Sequence, residues 1–491
     1  MYDSVERIDA EAVNSKEKRS NYAARVKIFP KRVTGTFRSL KWWVMLVTLG
    51  IYYITPWLRW DRGPYAPDQA VLVDLANRRF YFFFIEIWPQ ELFYIAGLLI
   101  MAGVGLFLVT STVGRAWCGY TCPQTVWVDL YLVVERWVEG DRNARIKLDK
   151  GPWTFDKVRK QVLKHAIWIL IAVATGGAWI FYFADAPMLA WNFLTFNAPF
   201  VAYSTVAILT ATTYVFAGFM REQVCTYMCP WPRIQGAMLD EDSLVVTYND
   251  WRGEKRGGQK LRKQNQQTRY GDCIDCNLCV AVCPQGIDIR DGQQLECITC
   301  ALCIDACDSV MAKTGKPKGL ISYATLRDYN ASMSSQAKPT TWRSFIRPRT
   351  YIYIAIWSMI GLLMLGTLLT RDRLDLNVLH DRNPVYVTLS DGSIRNGYTI
   401  KILNMRPEPR TMWLSVSGIK DVTMTAAGRD EAPASSLEFE VSPDKLLSVK
   451  VFVRSAPEAL TGRMSQVTFT VTNAADGETA TYDAKFEGPA H

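Results

Sequence analysis

Eight of the twelve cysteines stand in two runs of one spacing. Cys273, Cys276 and Cys279 lie three apart, and Cys283 follows four residues on with Pro284 behind it; Cys297, Cys300, Cys303 and Cys307 repeat the pattern. A loop of this spacing offers three thiolates to three corners of an iron–sulfur cubane, and the fourth must come from the other run. Cys273, Cys276, Cys279 and Cys307 are therefore assigned to one [4Fe–4S] cluster, and Cys297, Cys300, Cys303 and Cys283 to a second. A zinc site of C-x2-C pairs would leave the fourth cysteine of each run unexplained. Asp308 stands after Cys307, where the first run has proline.

The other four cysteines form a second repeat. Arg115-Ala-Trp-Cys118-Gly-Tyr120-Thr-Cys122-Pro123 and Arg221-Glu-Gln-Val-Cys225-Thr-Tyr227-Met-Cys229-Pro230 share Cys-x-Tyr-x-Cys-Pro after an arginine. Four soft thiolates at one point would suit a third iron–sulfur cluster or bound copper as Cu(I). A dithiol pair cycling to a disulfide and plain buried packing are the other readings. Tyr120 and Tyr227 read as interface anchors, and Arg115 and Arg221 need no special role. With three histidines in 491 residues (His165, His380 and His491), the chemistry belongs to sulfur rather than to a His-rich metal or bis-histidine haem centre.

Positioning these motifs requires a membrane. Five apolar stretches without Lys or Arg, at 42–58, 91–114, 165–184, 200–220 and 351–370, approach or reach the ~20 residues that cross a bilayer. Trp and Tyr cluster at their ends, and the polar first forty residues show no cleavable signal pattern. Lys plus Arg number 10 before the first stretch, then 4, 10, 0 and 18 in the successive intervals. The rich segments belong in the cytoplasm. The N-terminus, both cysteine turns and the paired runs are thus expected on the cytoplasmic side, where disulfides are rare, and the tail outside it. The repeat makes stretches one–two and three–four parallel hairpins whose cysteines converge about a pseudo-twofold axis. The net charge of +9 follows topology and attraction to anionic membrane lipid. No basic stripe with interleaved aromatics points to nucleic acid.

The expected fold class is an α-helical membrane protein of five transmembrane helices, with an inserted cytoplasmic two-cluster ferredoxin domain and a C-terminal all-β immunoglobulin-like domain. Its parts are a basic arm (1–41), a four-helix membrane domain (42–248) and a basic linker (249–269). The ferredoxin domain (270–325), a second linker (326–350), the fifth span (351–370) and a β-sandwich (371–491) follow. The arm and first linker read as loose. Residues 126–138 read as a helix in the membrane interface. In the tail, alternation at 384–389, 398–403, 413–416, 438–441, 448–453 and 466–471, with turn signals such as Asn396-Gly397, predicts about seven strands.

In this order the features resemble the CcoG/FixG/RdxA family of cytochrome oxidase accessory proteins, which are polyferredoxin-like membrane proteins. Paired membrane Cys-x3-Cys-Pro turns ahead of a ferredoxin motif also occur in NapH-type membrane ferredoxins. The late fifth span and immunoglobulin-like tail favour the former. The resemblance implies a location in the bacterial inner membrane with a periplasmic tail. It further implies reduction of Cu(II) to Cu(I) for assembly of cbb3-type cytochrome c oxidase, with the copper ion and oxidase subunits or assembly factors as partners. An electron-transfer subunit of a quinol-linked complex, or a scaffold with structural clusters, are the alternatives. No GxGxxG turn joins a strand to a helix, so the unknown electron donor is expected to be a partner protein or quinol.

Overall fold

The computed structural model describes residues 5, 7–14, 26–264, 267–334, 347–406, 408–429, 432–443, 445–460 and 462–489. Parts of the arm (15–25) and second linker (335–346), and His491, lie outside the described residues. The chain divides into two compact units, residues 1–58 with 69–364, and 59–68 with 365–491.

In the first unit the helices are α1 (Thr36–Ile54), α2 (Phe93–Val113), α3 (Pro123–Glu139), α4 (Arg142–Lys150), α5 (Phe155–Ile180), α6 (Ala186–Leu194), α7 (Phe200–Thr213) and α8 (Trp231–Met238). A small antiparallel sheet of β1 (Val71–Asp74), β2 (Arg79–Phe82) and β3 (Ile85–Ile87) sits between α1 and α2 in sequence. The cysteine-rich stretch follows as β4 (Val245–Tyr248), the short α9 (Asp250–Gly253) and α10 (Gln259–Gln264), α11 (Leu278–Val282), α12 (Leu302–Lys313), β5 (Ile321–Ala324) and α13 (Leu326–Met333). The helix α14 (Pro348–Thr370) leads into the second unit.

Among the described residues four helical segments are long and apolar enough to cross a membrane: Pro89–Val113, Phe155–Ile180, Phe200–Met220 and Pro348–Thr370. The twenty-one residues of α2 carry no charge and bury little within the protein, as a segment solvated by lipid should. α5 starts on a capped turn, with Thr154 accepting from the Lys157 N–H. It meets α7 closely at Gly176, where a Cβ would lie 2.9 Å from the Val206 carbonyl oxygen. The first expected stretch is helical too, but α1 begins six residues early and includes buried Arg38 and Lys41. It is not among the four, while Trp43, Leu46, Val47, Ile51 and Ile54 on it stay exposed.

Two segments differ from their expected looseness. Of the arm, Ile8 donates its N–H to the Cys276 carbonyl, Val13 and Asn14 to that of Gly286, and Lys31 to that of Ala281. In the basic linker Arg252 pairs with Asp272 at 2.6 Å, and Arg262 donates to the carbonyls of Gly271 and Cys273. Polar composition conceals this because backbone carbonyls around the cysteine loops accept what the arm's backbone N–H groups and the linker's basic side chains donate.

The second unit holds β6 (Leu374–His380), β7 (Val387–Thr388), β8 (Ile394–Asn404), β9 (Arg410–Ser417), β10 (Thr423–Ala426), β11 (Ser436–Val441), β12 (Leu446–Ser455), β13 (Met464–Asn473) and β14 (Thr479–Glu487). One sheet runs β10-β12-β8-β6 with β7 beside β8, and the other β11-β9-β13-β14. Alternate residues of both enter one core, where the Tyr398 and Phe469 rings lie 5.0 Å apart. Asn396-Gly397 is not a turn but lies within β8, near its start. Asn396 is fully buried and donates to the Glu487 carbonyl, and a Cβ on Gly397 would lie 2.2 Å from Asp381 Oδ2.

Candidate metal centre

The two cysteine runs fold as near copies. In each, the residues on either side of the second cysteine take positive φ: Asp275 (53°) and Asn277 (57°), then Thr299 (57°) and Ala301 (60°). Such non-glycine residues cost roughly 1–2 kcal/mol each and persist where their surroundings hold them. In the first run the half-buried Arg290 reaches both, Asp275 at 2.8 Å and Asn277 at 2.9 Å, while bonding Asp288. In the second, Tyr323 donates to the Thr299 carbonyl (2.6 Å) and Tyr120 to that of Cys300 (3.2 Å).

Wrapped this way, the runs surround two cavities of similar size. Cys273, Cys276, Cys279 and Cys307 line one, with Tyr248, Met311 and Ile321. Cys283, Cys297, Cys300 and Cys303 line the other, with Ile287, Ile298 and Leu302; Cys279 also reaches it. The fourth cysteine of each set thus comes from the opposite run. Burial pushes the Cys283 and Cys307 thiols up to about 12 and Cys297 to about 11. Backbone N–H groups of Leu278, Gln285, Ile287, Thr299 and Ile321 point at these sulfurs and act against burial. Apolar walls, inward thiols and N–H donors aimed at sulfur fit an iron–sulfur cubane, which needs thiolates in a dry site.

The turns at 117–121 and 224–228 are wide π-helical ones, each ending at a cysteine that precedes proline. They bring their four cysteines together. Burial raises Cys225 to about 12, with Cys122, Cys118 and Cys229 adding like-charge repulsion. Cys118 rises to about 11 by burial, opposed by Arg115 and reinforced by Cys122 and Cys229. Among the described residues no three His, Cys, Asp or Glu side chains close on one point as a single ion requires. Cys118 donates to Gln235 Oε1 at 2.9 Å, and the fully buried Gln235 donates on to Thr110.

This turn packs directly on the second run. A Cβ on Gly119 would lie 2.7 Å from the Ile298 oxygen and 3.0 Å from the Cys300 Cα. Arg115 is buried and donates to the Leu295 carbonyl. Tyr120 is therefore a buried strut rather than an interface anchor, whereas Tyr227 is exposed. Gln235 and Asp305 escaped sequence reasoning because their partners are remote, and Arg290 and Tyr323 because nothing in the local pattern aims them at the cysteine loops. Asp305 accepts the N–H groups of Phe37 (3.2 Å) and Arg38 (2.7 Å), capping α1 from the ferredoxin side.

A layer of buried ion pairs lies below. Residues 126–138 fall within α3, which is largely buried rather than spread on a surface. Asp129 accepts from Arg38 at 2.8 Å, with Lys41 3.8 Å away. Glu135 pairs with Arg145 and Arg221, and Glu139 with Lys164 at 2.7 Å. Burial raises the Asp129 carboxyl, but Lys41 and Arg38 outweigh it and hold it below the usual range. Glu135 is held down likewise by Arg221 and Arg145 against its burial.

Comparison with known proteins agrees with this anatomy. Residues 95–139 match the model of a 4Fe-4S binding domain, 220–326 that of a 4Fe-4S dicluster domain, and 364–489 that of the IG-like fold at the C-terminal of FixG. The chain is 60% identical to the nitrogen fixation protein FixG of Rhizobium meliloti, covering 92% of this chain and 90% of that protein. To protein RdxB of Cereibacter sphaeroides it is 55% identical (96% and 98% covered), and to protein RdxA of the same organism 50% (95% and 98%). Carrying iron–sulfur domains, apolar membrane helices and the immunoglobulin-like tail, and kin to these proteins over nearly its whole length, the chain belongs to the FixG/RdxA family.

Proposed function

We propose that this membrane iron–sulfur redox protein reduces Cu(II) to Cu(I) for assembly of a cbb3-type cytochrome c oxidase. The observation that carries the reading is the meeting of Cys118, Cys122, Cys225 and Cys229 against the Cys297–Cys300 loop through Gly119. Cys273, Cys276, Cys279 and Cys307 would hold one [4Fe–4S] cluster, and Cys297, Cys300, Cys303 and Cys283 the other. The membrane four would hold a third. They share a region without closing on a point, which favours a cubane, whose corners each take one sulfur, over a resident single copper ion. Bound there, such groups supply single-electron chemistry, and the conversion of Cu(II) to Cu(I) takes one electron. Copper is thus substrate. Gly119 and Tyr120 fix the spacing of the two cysteine groups, and Arg115 offsets negative charge beside both Cys118 and Cys297. A narrow cleft reaches Cys225 past Lys41, Asp129 and Gln285.

The proposed topology has five spans. α1 is the shortest, its exposed apolar face in lipid and its buried Arg38 and Lys41 at the ferredoxin end. The N-terminus and ferredoxin domain are cytoplasmic and the tail periplasmic. The test is a Cys118→Ala, Cys229→Ala variant purified anaerobically. It should retain about eight irons per chain and the ferredoxin spectrum while losing cupric reduction. Reduction at the parental rate would exclude the assignment.

A further inference from the structure

We infer that the cavity between α3, α4, α5 and the end of the Phe200–Met220 segment binds a quinol ring. The proposal rests on the redox reading above and names the class of its electron donor. The space is lined by Glu135, Glu139, Arg145, Lys164, His165 and Phe219, among others. It lies at the end of the Phe200–Met220 segment and against residues 161–168 of the Phe155–Ile180 segment, both apolar enough to cross a membrane, where the headgroup of a lipid-soluble quinol would arrive.

Its walls are flat and its polar groups alternate. The His165 and Phe219 rings are almost parallel (13°) at 5.8 Å, and Trp168 stands edge-on to His165 at 5.1 Å. Arg145 is 2% exposed, and its Nη1 has no hydrogen-bond acceptor among the described residues. A buried donor left this way calls for an acceptor from a ligand. His165 Nδ1 is engaged by the Tyr214 hydroxyl at 2.9 Å, which leaves Nε2 to exchange a proton. An anion would require free cations. Here Lys27 is paired with Asp149, Arg145 and Arg221 with Glu135, and Lys164 with Glu139. A neutral ring bearing two hydroxyls that become carbonyls suits this donor–acceptor mixture better.

Arg221 both lines the cavity and opens the stretch to Cys225. Four residues at 3.8 Å per Cα step hold the two Cα atoms within about 15 Å. The exchange balances as follows. The two O–H bonds of the quinol break, the ring becomes a quinone, and two electrons leave singly to the iron–sulfur groups proposed above. One proton goes to His165 Nε2 and the other to the Glu139 carboxylate.

The probe is duroquinone, used on the purified full-length protein in two ways. Equilibrium binding to the parent, His165→Phe and Phe219→Ala proteins is measured by calorimetry, which needs no electron transfer. Reoxidation of dithionite-reduced, desalted protein by duroquinone is then followed by visible absorbance. Both variants should bind at least tenfold more weakly and reoxidise at least tenfold more slowly, with iron content and dithionite response equal to the parent's. Parental binding in both variants, or a parent that does not bind duroquinone, overturns the proposal. A parent that binds duroquinone but shows no dithionite-reducible absorbance would instead remove the iron–sulfur reading.

Discussion

Gly119 is the place where a single methyl group should be felt by both halves of the redox site. A Cβ there would meet the Ile298 oxygen at 2.7 Å, the Cys300 Cα at 3.0 Å and the Cys300 nitrogen at 3.1 Å. Ordinary contact begins near 3.5 Å, so Gly119→Ala requires a relative shift of about 0.5–0.8 Å. All three neighbours are backbone atoms, and no rotamer change can absorb that shift. Overpacking of this kind costs about 1–3 kcal/mol. Gly119 is not among the glycines of positive φ, so alanine is strain-free and recovers about 0.4–1 kcal/mol from the unfolded chain. The clash wins by about 1 kcal/mol, roughly a fivefold change in the fraction opened. The assay is the anaerobic rate at which iron–sulfur absorbance bleaches on warming. Gly50→Ala on α1, where a Cβ meets nothing within 4 Å, is the control of opposite sign. Gly119→Ala should bleach faster than parent, Gly119→Val faster still, and Gly50→Ala no faster. A Gly119→Ala protein as durable as its parent would refute the tight contact and the positioning role drawn from it.

Asp305→Ala removes the acceptor for two N–H groups at the start of α1. It should destabilise the protein by about 0.5–2 kcal/mol, read as a lower thermal midpoint, with Asp305→Asn losing about half as much. Arg38→Met leaves the buried Asp129 with the more distant Lys41, at 3.8 Å, and the field of Arg136. Stripping a buried carboxylate of its partners costs about 3–5 kcal/mol, so the single change should approach the lower end, and adding Asp129→Leu should recover most of it. The sign of the pH effect follows from Asp129 being held below its usual range, against burial, by Lys41 and Arg38. Its contribution is fully present above the unfolded value near 4 and is lost as pH falls through the folded value. Asp129→Asn should therefore flatten the acid limb of a plot of unfolding midpoint against pH, and an unchanged limb would assign that limb elsewhere.

How much of this was legible in the sequence depends on how local each partner is. The cysteine spacing could be read because one loop presents three sulfurs, and cubane chemistry demands that the fourth come from elsewhere. Cys283 and Cys307 line the cavities of the opposite runs. The long tail strands were legible from alternation, but Asn396-Gly397 was not. An Asn-Gly pair usually marks a turn, and its place within β8 follows from the buried bonds of Asn396 to both the carbonyl and the N–H of Glu487. The acids of α3 looked like the polar side of an interfacial helix. Their partners arrive from α1, α4, α5 and the 221–225 stretch, a convergence no window of sequence displays. Tyr120 was misread for the same reason, since its acceptor is 180 residues away.

These remote contacts close a circuit. Asp305, two residues past Cys303, caps α1; Arg38 of α1 holds Asp129 of α3; α3 begins at Pro123, directly after Cys122; and Gly119, within the same turn, rests on Cys300. Each link joins an element read as membrane to one read as ferredoxin, or returns to the first. A loop of this kind fixes the spacing between two cysteine groups better than one contact could, because slippage at any link must be met by the others. The closed circuit also explains why the ion pairs are buried despite their desolvation cost: apolar replacements at 38 and 129 could match their stability but not their direction. Gly119→Ala and the Arg38→Met, Asp129→Leu pair therefore perturb one device from opposite sides. Combined, they should depart from additivity, whereas changes at unlinked positions of comparable burial should simply add.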